Sequence, residues 1–137
     1  MIRIIDAISA RAAAPDRRGV ASAPASRPLV ARTARPREPG CDLCEAARLT
    51  RWHHEDDVCW IADCELCDVP MAVWRSHGTE PPDDELAHML AQLSRVARDV
   101  FREFHIDTVR RNIPGHWHAH ARPKGRAALA WWLRRRA

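Results

Sequence analysis

The 137-residue sequence has no apolar run of the length needed to cross a bilayer, which is about 20 residues. We therefore expect a soluble, cytoplasmic protein with no membrane role. The sequence also lacks a secretory signal and an even set of cysteines, since it contains five, which argues against a disulfide framework. Its length allows one domain with a core of its own and no more.

Most of the chain has no excess of basic charge. Of the 22 Lys and Arg residues, eight lie in residues 1–40 against three acidic residues, whereas residues 41–137 carry 14 basic and 15 acidic residues. A domain that binds nucleic acid usually carries a basic face of its own. We therefore expect no specific nucleic-acid partner.

Residues 1–40 contain few large apolar side chains and show no hydrophobic period. They are rich in Ala, Arg, Pro and Ser, so they cannot bury enough surface to offset chain entropy. We predict a disordered basic tail there; an organellar transit peptide, or non-specific attraction to anionic surfaces, is a weaker alternative. The predicted organisation is a tail over 1–40, a folded domain over 41–123 and a short helix within 124–137.

The folded part combines one helical period with several short apolar runs. Prolines and acidic residues precede the segment "DDELAHMLAQLSRVARDVFREF", which predicts one long amphipathic helix over 83–104. Residues 41–52 predict a cysteine knuckle that runs into a short helix. Strands are predicted over 56–63, 68–77, 106–113 and 116–122. This pattern predicts an α+β fold, in which an antiparallel sheet of four or five strands is covered by the long helix.

Three histidines occupy every second position of the last predicted strand, in "HWHAH". Because alternate side chains of a strand share one face, His116, His118 and His120 should point one way. Trp117 and Ala119 should point the other way, beneath the helix. A convergent set of this kind indicates metal binding, or a division of labour among catalytic histidines.

Two Cys-x-x-Cys pairs offer thiolates that suit zinc. Cys41 and Cys44 could combine with His77 and His116 in a tetrahedral site that ties the knuckle to the sheet. The second pair, at 64–67, could instead complete a four-cysteine zinc ribbon with the first. We favour the mixed site, with structural Zn²⁺ as the cofactor, and the four-cysteine ribbon and a metal-free arrangement stay open as alternatives.

The motifs, taken in order, resemble those of the histidine triad (HIT) superfamily of nucleotide hydrolases and transferases. "CDLC" (41–44) resembles the cysteine knuckle of many bacterial members, and "HEDDVCWIAD" (54–63) resembles their first hairpin strand. "VPMAVWRSH" (69–77) resembles the strand that ends in a zinc-ligand histidine. The helix and the triad strand follow in the expected order. The resemblance covers about residues 41–123 and points to a zinc-containing, bacterial-type member.

The resemblance implies a reaction and a role for individual residues. His118 would attack the α-phosphorus of a nucleotide derivative, and water would then hydrolyse the covalent nucleotidyl-histidine. His120 would donate a hydrogen bond to the phosphate, and Asp63 would hold the ribose hydroxyls. Apart from the resemblance, Asn112 could donate a further hydrogen bond. Arg110, Arg111 and Arg122 lie close in sequence and could pair with phosphates or equally well face solvent. The expected enzyme is a nucleotide phosphoramidase or a dinucleoside polyphosphate hydrolase, working as a homodimer.

Two departures from the family's pattern keep other functions open. The loop before the triad is shortened to "NIPG" (112–115), and Arg122 stands where an apolar residue is usual. One alternative is a catalytically silent nucleotide-binding module of the same fold. The other is a metal-dependent hydrolase in which His116 and His118 both bind a catalytic ion.

Overall fold

The computed structural model describes residues 34–137. The tail predicted over 1–40 therefore lies outside the described residues, except for its last seven positions. Those positions contact the domain, since the backbone N–H of His77 donates to the carbonyl oxygen of Pro36 at 2.8 Å. The chain next to the cysteine knuckle is thus attached to the segment that carries a predicted metal ligand.

The described chain contains three helices and five strands, and all five strands belong to one antiparallel sheet in the order β1-β2-β3-β5-β4. The elements, in chain order, are α1 (Asp42–Glu45), β1 (Trp52–Glu55), β2 (Cys59–Asp63), β3 (Pro70–Trp74), α2 (Asp83–Val100), β4 (Phe104–Asp107), β5 (His118–Pro123) and α3 (Gly125–Arg136). The predicted α+β class with an antiparallel sheet is confirmed, and the number of strands is five.

The sheet face beneath α2 is apolar. Ile61 of β2, together with Ala119 and Ala121 of β5, is fully buried there against Met89 and Leu93 of the helix. The alternation predicted for the triad strand is therefore confirmed on this face. The other face of β5 carries the histidines and borders a pocket.

α2 ends four residues earlier than the predicted helix over 83–104. It spans Asp83–Val100, and Phe101 has extended backbone angles (φ −127°, ψ 141°). Phe104 fits the helical period, but it begins β4 and pairs with Pro123. Pairing with the sheet therefore overrides the apolar period at this end, and α2 is one of three helices in the described chain.

The last two strands also differ from their predicted bounds of 106–113 and 116–122. β4 ends at Asp107, whose carboxylate accepts the backbone N–H of Val109 at 3.0 Å and turns the chain. β5 begins at His118, because His116 forms an isolated parallel bridge with Gly78 instead. This bridge separates the first histidine of the triad from the other two.

The helical segment predicted over 41–52 is shorter than expected. α1 has four residues and ends at Ala46, which adopts a left-handed conformation (φ 52°). The predicted strands over 56–63 and 68–77 are trimmed to β2 and β3. β1, which pairs with β2, begins at Trp52 inside the segment that was predicted to be helical. Short strands next to turn residues are the elements that apolar patterns resolve least well.

α3 packs near the edge of the sheet. Trp131 and Trp132 both border a small hollow together with Val69 and Pro123, although Trp132 is still 42% exposed. Arg135 donates to the carbonyl oxygen of Leu66 at 3.1 Å. Both tryptophans predicted to dock therefore lie beside the domain. Within residues 34–137, no helix combines the length and apolarity needed to span a membrane.

Candidate functional site

Cys41, Cys44, His77 and His116 form a buried group whose ligand atoms all lie within 4.8 Å of one another. Nδ1 of His116 lies 3.4 Å from both Sγ atoms, and Nδ1 of His77 lies 3.4 Å from Sγ of Cys44. A tetrahedral ion with bonds of about 2.3 Å to sulfur and about 2.05 Å to nitrogen separates these atoms by about 3.6 Å. The group could therefore hold a metal ion, and we call it the first metal group.

Local structure brings these four ligands together. The single turn of α1 places Cys41 and Cys44 three positions apart on one side, with the N–H of Cys44 donating to the carbonyl of Cys41 at 3.0 Å. His77 follows β3, and His116 precedes β5. The bridge between Gly78 and His116 brings these two segments side by side.

The second ring nitrogen of His116 fixes its tautomer. Nε2 lies 2.7 Å from the carbonyl oxygen of Trp74, which can only accept, so Nε2 carries the proton and Nδ1 offers a lone pair. Burial lowers the pKa of His116, which keeps the ring neutral. The backbone N–H of Glu38 also donates to Sγ of Cys44 at 3.4 Å. The first metal group thus has the outer contacts that a ligating imidazole and thiolate need.

A cavity of about 540 Å³ lies on the sheet face opposite α2. His118, His120, Asp63, Asn112 and Arg122 all border it. The structure therefore brings together every predicted catalytic and nucleotide-binding residue. Small-molecule sites have volumes of roughly 300–1,000 Å³, so the cavity is large enough for a ligand of that kind.

His118 is held in one tautomer at the wall of this cavity. Its Nδ1 lies 2.8 Å from the backbone carbonyl oxygen of His116, so Nδ1–H donates and Nε2 has a free lone pair. Burial lowers the pKa of His118, and the ring stays neutral. The ring of His120 is centred 5.4 Å away, nearly perpendicular at 82°. A neutral imidazole of this kind can act as a nucleophile or as a base.

The other predicted residues differ in how firmly they are held. Oδ1 of Asp63 lies 2.7 Å from Nε2 of His53, and the Asp63 side chain remains 24% exposed. Arg122 is paired with Asp107, with 2.7 Å between Nε and Oδ2. Burial opposes ionisation of Asp107, but hydrogen bonds, first that of Arg122, hold its pKa below the ordinary range. Asn112 is exposed at the rim.

An aromatic wall of the same cavity was not predicted from the sequence. Trp52 and Trp60 stack there with ring centroids 4.8 Å apart, and the guanidinium of Arg48 lies 4.0 Å from the Trp52 ring centre. His53, the partner of Asp63, was also missed. The alternation of β2 was a usable signal for Trp60, since its neighbours Cys59 and Ile61 face the helix. Nothing comparable marked Trp52, because β1 was not predicted.

The second cysteine pair does not join the first. Cys64 and Cys67 form a separate group with His120, in which the ligand atoms lie within 4.8 Å of one another. Among residues 34–137, Cys41 and Cys44 are grouped with histidines, and the four-cysteine ribbon is not formed. In this part of the chain no candidate group of three or more ligands contains both His116 and His118, since His116 belongs to the first metal group and His118 to none.

A third group lies on the α2 side of the sheet and was not predicted. Nε2 of His54 and Nε2 of His88 lie 2.7 and 2.6 Å from the same oxygen, Oδ2 of Asp56. The other carboxylate oxygen accepts the backbone N–H groups of Val58 and Cys59 at 2.8 and 2.9 Å. These separations are those of hydrogen bonds, and they fasten the turn between β1 and β2 to the helix.

Comparison with known proteins found no match. No protein-family model fits the chain, and no curated protein or solved structure is significantly similar to it. The function is therefore inferred from the residues of the chain itself.

Proposed function

We propose that the protein is a HIT-like nucleotide hydrolase or nucleotidyl transferase, acting at a nucleoside 5′-phosphoryl bond through a covalent intermediate on His118. The observation that carries this proposal is the 2.8 Å contact from Nδ1 of His118 to a backbone carbonyl, which leaves Nε2 unprotonated beside a ligand-sized cavity. The resemblance of the ordered motifs to the HIT superfamily supports the same chemistry.

In the first step, the lone pair on Nε2 of His118 attacks the α-phosphorus. A P–N bond forms while the bond to the leaving group breaks, and the leaving group departs with the bonding electrons and takes up a proton from solvent. In the second step, water attacks phosphorus and gives up a proton to solvent, and the P–N bond returns its electrons to the ring. Splitting one displacement into two lowers each barrier.

Several groups around His118 would stabilise the charges that develop on the ring and on the phosphate. The carbonyl of His116 accepts Nδ1–H and so stabilises the positive ring of the intermediate. His120 would donate to a non-bridging phosphate oxygen. Arg122 and Asn112 border the same cavity, where they would contact the phosphate from the side of β5 and the preceding loop.

The rest of the cavity suits the other parts of a nucleotide. The stacked rings of Trp52 and Trp60 offer a flat apolar surface for a base. Asp63, held at 2.7 Å by His53, keeps an exposed carboxylate that can accept from ribose hydroxyls. A nucleoside 5′-phosphate is thus the ligand that uses the aromatic, acidic and histidine walls together.

We propose Zn²⁺ for the first metal group, because two thiolates and two imidazoles are the donor set of structural zinc sites. Its role would be positional. His116 offers Nδ1 to the metal while its backbone carbonyl orients His118. The reaction itself proceeds on the protein's own side chains.

We also propose the homodimer that the resemblance implies. Apolar side chains on α3 support it, since Leu129, Trp132 and Leu133 are 59%, 42% and 54% exposed. Light scattering should give twice the chain mass for the wild type. Leu133→Glu should give the single-chain mass, and a monomeric wild type would refute the dimer.

Turnover of nucleoside 5′-phosphoramidates and dinucleoside polyphosphates tests the proposed reaction. His118→Asn should lose activity by at least about a thousandfold, because the attacking atom is removed. His105→Asn, which changes an exposed histidine on β4, is the matched control and should retain activity. Wild-type protein quenched during turnover should carry a nucleotidyl group on His118, identified by peptide mass spectrometry.

The other outcomes separate the alternatives. Full turnover by His118→Asn would exclude His118 as the nucleophile. Binding of nucleoside monophosphate without turnover of any substrate would favour the silent binding module. Activity that a chelator abolishes and added metal restores, with no nucleotidyl adduct, would favour metal-dependent hydrolysis.

A further inference from the structure

Cys64, Cys67 and His120 converge at the wall of the cavity. The two Sγ atoms and a ring nitrogen of His120 lie within 4.8 Å of one another, and all three residues border the cavity. Cys64 and His120 are buried, Cys67 is half-buried, and both cysteines are free thiols. Three donors with affinity for soft metals therefore meet where an exchangeable ligand could reach them.

The turn that carries this cysteine pair is closed by two backbone hydrogen bonds. The N–H of Cys64 donates to the carbonyl oxygen of Val69 at 2.8 Å. Asp68, directly after the second cysteine, is left-handed (φ 58°), and its N–H donates to the carbonyl oxygen of Cys64 at 2.7 Å. These two bonds fix the positions of Cys64 and Cys67 within the turn.

His120 provides an independent observation. Its Nδ1 is buried, and it is the one buried side-chain nitrogen or oxygen that lacks a hydrogen-bond partner among residues 34–137. Buried polar atoms are almost always paired, because leaving one unpaired costs its hydration. A ligand for this nitrogen is therefore expected, and the residues grouped with His120 are two cysteines, whose thiols bind metals.

We propose that Cys64, Cys67 and Nδ1 of His120 bind a thiophilic ion of the zinc class, as a second metal site distinct from the first metal group. Three protein ligands leave a tetrahedral ion one further position, and here it would lie toward the cavity, open to water or an anionic oxygen. With Nδ1 on the ion, the proton of the imidazole resides on Nε2. That is the form in which His120 donates to phosphate, a consequence that rests on the proposed function.

Metal counting on the full chain tests this site. The protein is purified under reducing conditions, loaded with Zn²⁺, desalted, and measured by elemental analysis and native mass spectrometry. Wild type should hold one zinc equivalent more than Cys67→Ser. Glu65→Gln, in the same turn but without a ligand atom in the group, is the matched control and should hold as much as wild type. Retention of the remaining zinc by Cys67→Ser shows that the variant is folded.

Two results would overturn the site. One is equal zinc content in wild type and Cys67→Ser. The other is a wild type that lacks two hydrogens, with a Cys64–Cys67 disulfide in place of the ion. Long-range ¹H–¹⁵N spectra of the histidine rings give a second measurement on wild type alone. Zinc should shift Nδ1 of His120 and leave the proton on Nε2, and a shift confined to Nε2 would refute the assignment of the ligand nitrogen.

These measurements do not use turnover, so the two proposals can fail separately. An inactive protein with the additional zinc equivalent would defeat the proposed reaction and leave the second metal site standing. An active protein without that equivalent would do the reverse.

Discussion

The backbone carbonyl oxygen of His116 accepts a hydrogen bond from Nδ1–H of His118, with 2.8 Å between the oxygen and the nitrogen. The ring of His116 meanwhile faces Cys41 and Cys44, with Nδ1 3.4 Å from each sulfur. One residue thus contributes its side chain to the first metal group and its backbone to the proposed nucleophile. The alignment of His118 therefore depends on whatever holds His116.

Removal of the zinc proposed for the first metal group should lower stability and activity together. Structural zinc contributes directly to folding free energy, and a loss of about 2 kcal/mol lowers Tm by about 10 °C in a domain of this size. We expect at least that decrease for Cys44→Ser, and for wild type treated with a chelator, by calorimetry. Nucleotide turnover should decrease in parallel. Glu65→Gln is the control, and an unchanged Tm after zinc removal would contradict the structural role.

Asp63→Asn should remove discrimination between ribose and deoxyribose. Hydrogen bonds to a charged group contribute about 1.5–3 kcal/mol, so kcat/KM for a ribonucleotide substrate should decrease about tenfold to a hundredfold. The 2′-deoxy substrate makes fewer of these contacts and should lose less. Comparing both substrates corrects for any general damage from breaking the 2.7 Å contact with His53. Equal losses would show that Asp63 does not bind the sugar.

Trp52→Ala should weaken nucleotide binding more than it slows the chemical step. Stacking of a base on an aromatic ring contributes about 1–3 kcal/mol, which corresponds to roughly fivefold to a hundredfold in Kd. Calorimetric titration with a nucleoside monophosphate measures this, and Trp52→Phe should preserve most of the affinity. Val100→Ala, at the exposed end of α2 and outside the cavity, is the control. Unchanged affinity in Trp52→Ala would place the base elsewhere.

Arg35→Ala should destabilise the domain, although this position lies in the segment predicted to be a tail. Its guanidinium donates to both oxygens of Glu85 at 3.1 and 2.9 Å and to Ser76 at 3.0 Å. Glu85 also accepts from Nε1 of Trp74 at 2.6 Å. We expect a loss of about 1.5–3 kcal/mol in urea unfolding. Arg98→Ala, on the exposed side of α2, should change the free energy of unfolding little. Equal losses in the two variants would contradict a specific role of the Arg35–Glu85 contact.

Asp56 should contribute stability that is lost in acid. Burial opposes its ionisation, but hydrogen bonds from His54, His88 and two backbone amides outweigh burial and hold its pKa well below the ordinary 3.8. The unfolded carboxyl takes up a proton near its ordinary pKa while the folded one stays ionised. The contribution is therefore present above about pH 4 and decreases as the pH falls below that value.

Asp56→Asn tests this dependence. At pH 7 the variant should be less stable than wild type by about 1–3 kcal/mol, because the hydrogen bonds of both histidines are weakened. The difference should shrink in unfolding curves taken from pH 4 toward pH 2. Asp99→Asn, an exposed change on α2, is the control. A difference that stays constant over this pH range would refute the assignment.

The site residues could be predicted because chemistry and strand alternation are local properties. The i, i+2 spacing of His118 and His120 placed both on one face, and residue type alone grouped Cys41 and Cys44 with two histidines. The residues at which helices and strands begin and end were harder to predict from the sequence. Phe104 satisfies a helical period and a strand equally well, and only its pairing with Pro123 decides between them.

Contacts between residues that are far apart in the sequence could not be predicted, for a similar reason. The two Cys-x-x-Cys pairs have identical spacing, so the sequence left open whether they would join each other in a four-cysteine ribbon. The pairing of Met71 with His120 brings β5 beside β3, next to the turn that holds Cys64 and Cys67. Contacts of this kind depend on sheet register, which no local pattern specifies.

The first metal group links chain positions 75 residues apart, from Cys41 to His116. A covalent cross-link over such a loop would be worth roughly 4–5 kcal/mol by the entropy it removes from the unfolded chain. A bound ion would stabilise this thiol-rich protein by a comparable amount. Acid or a chelator, rather than a reductant, would remove that stabilisation. The supply of metal during folding, more than the redox state, would then set how much of the protein reaches its native form.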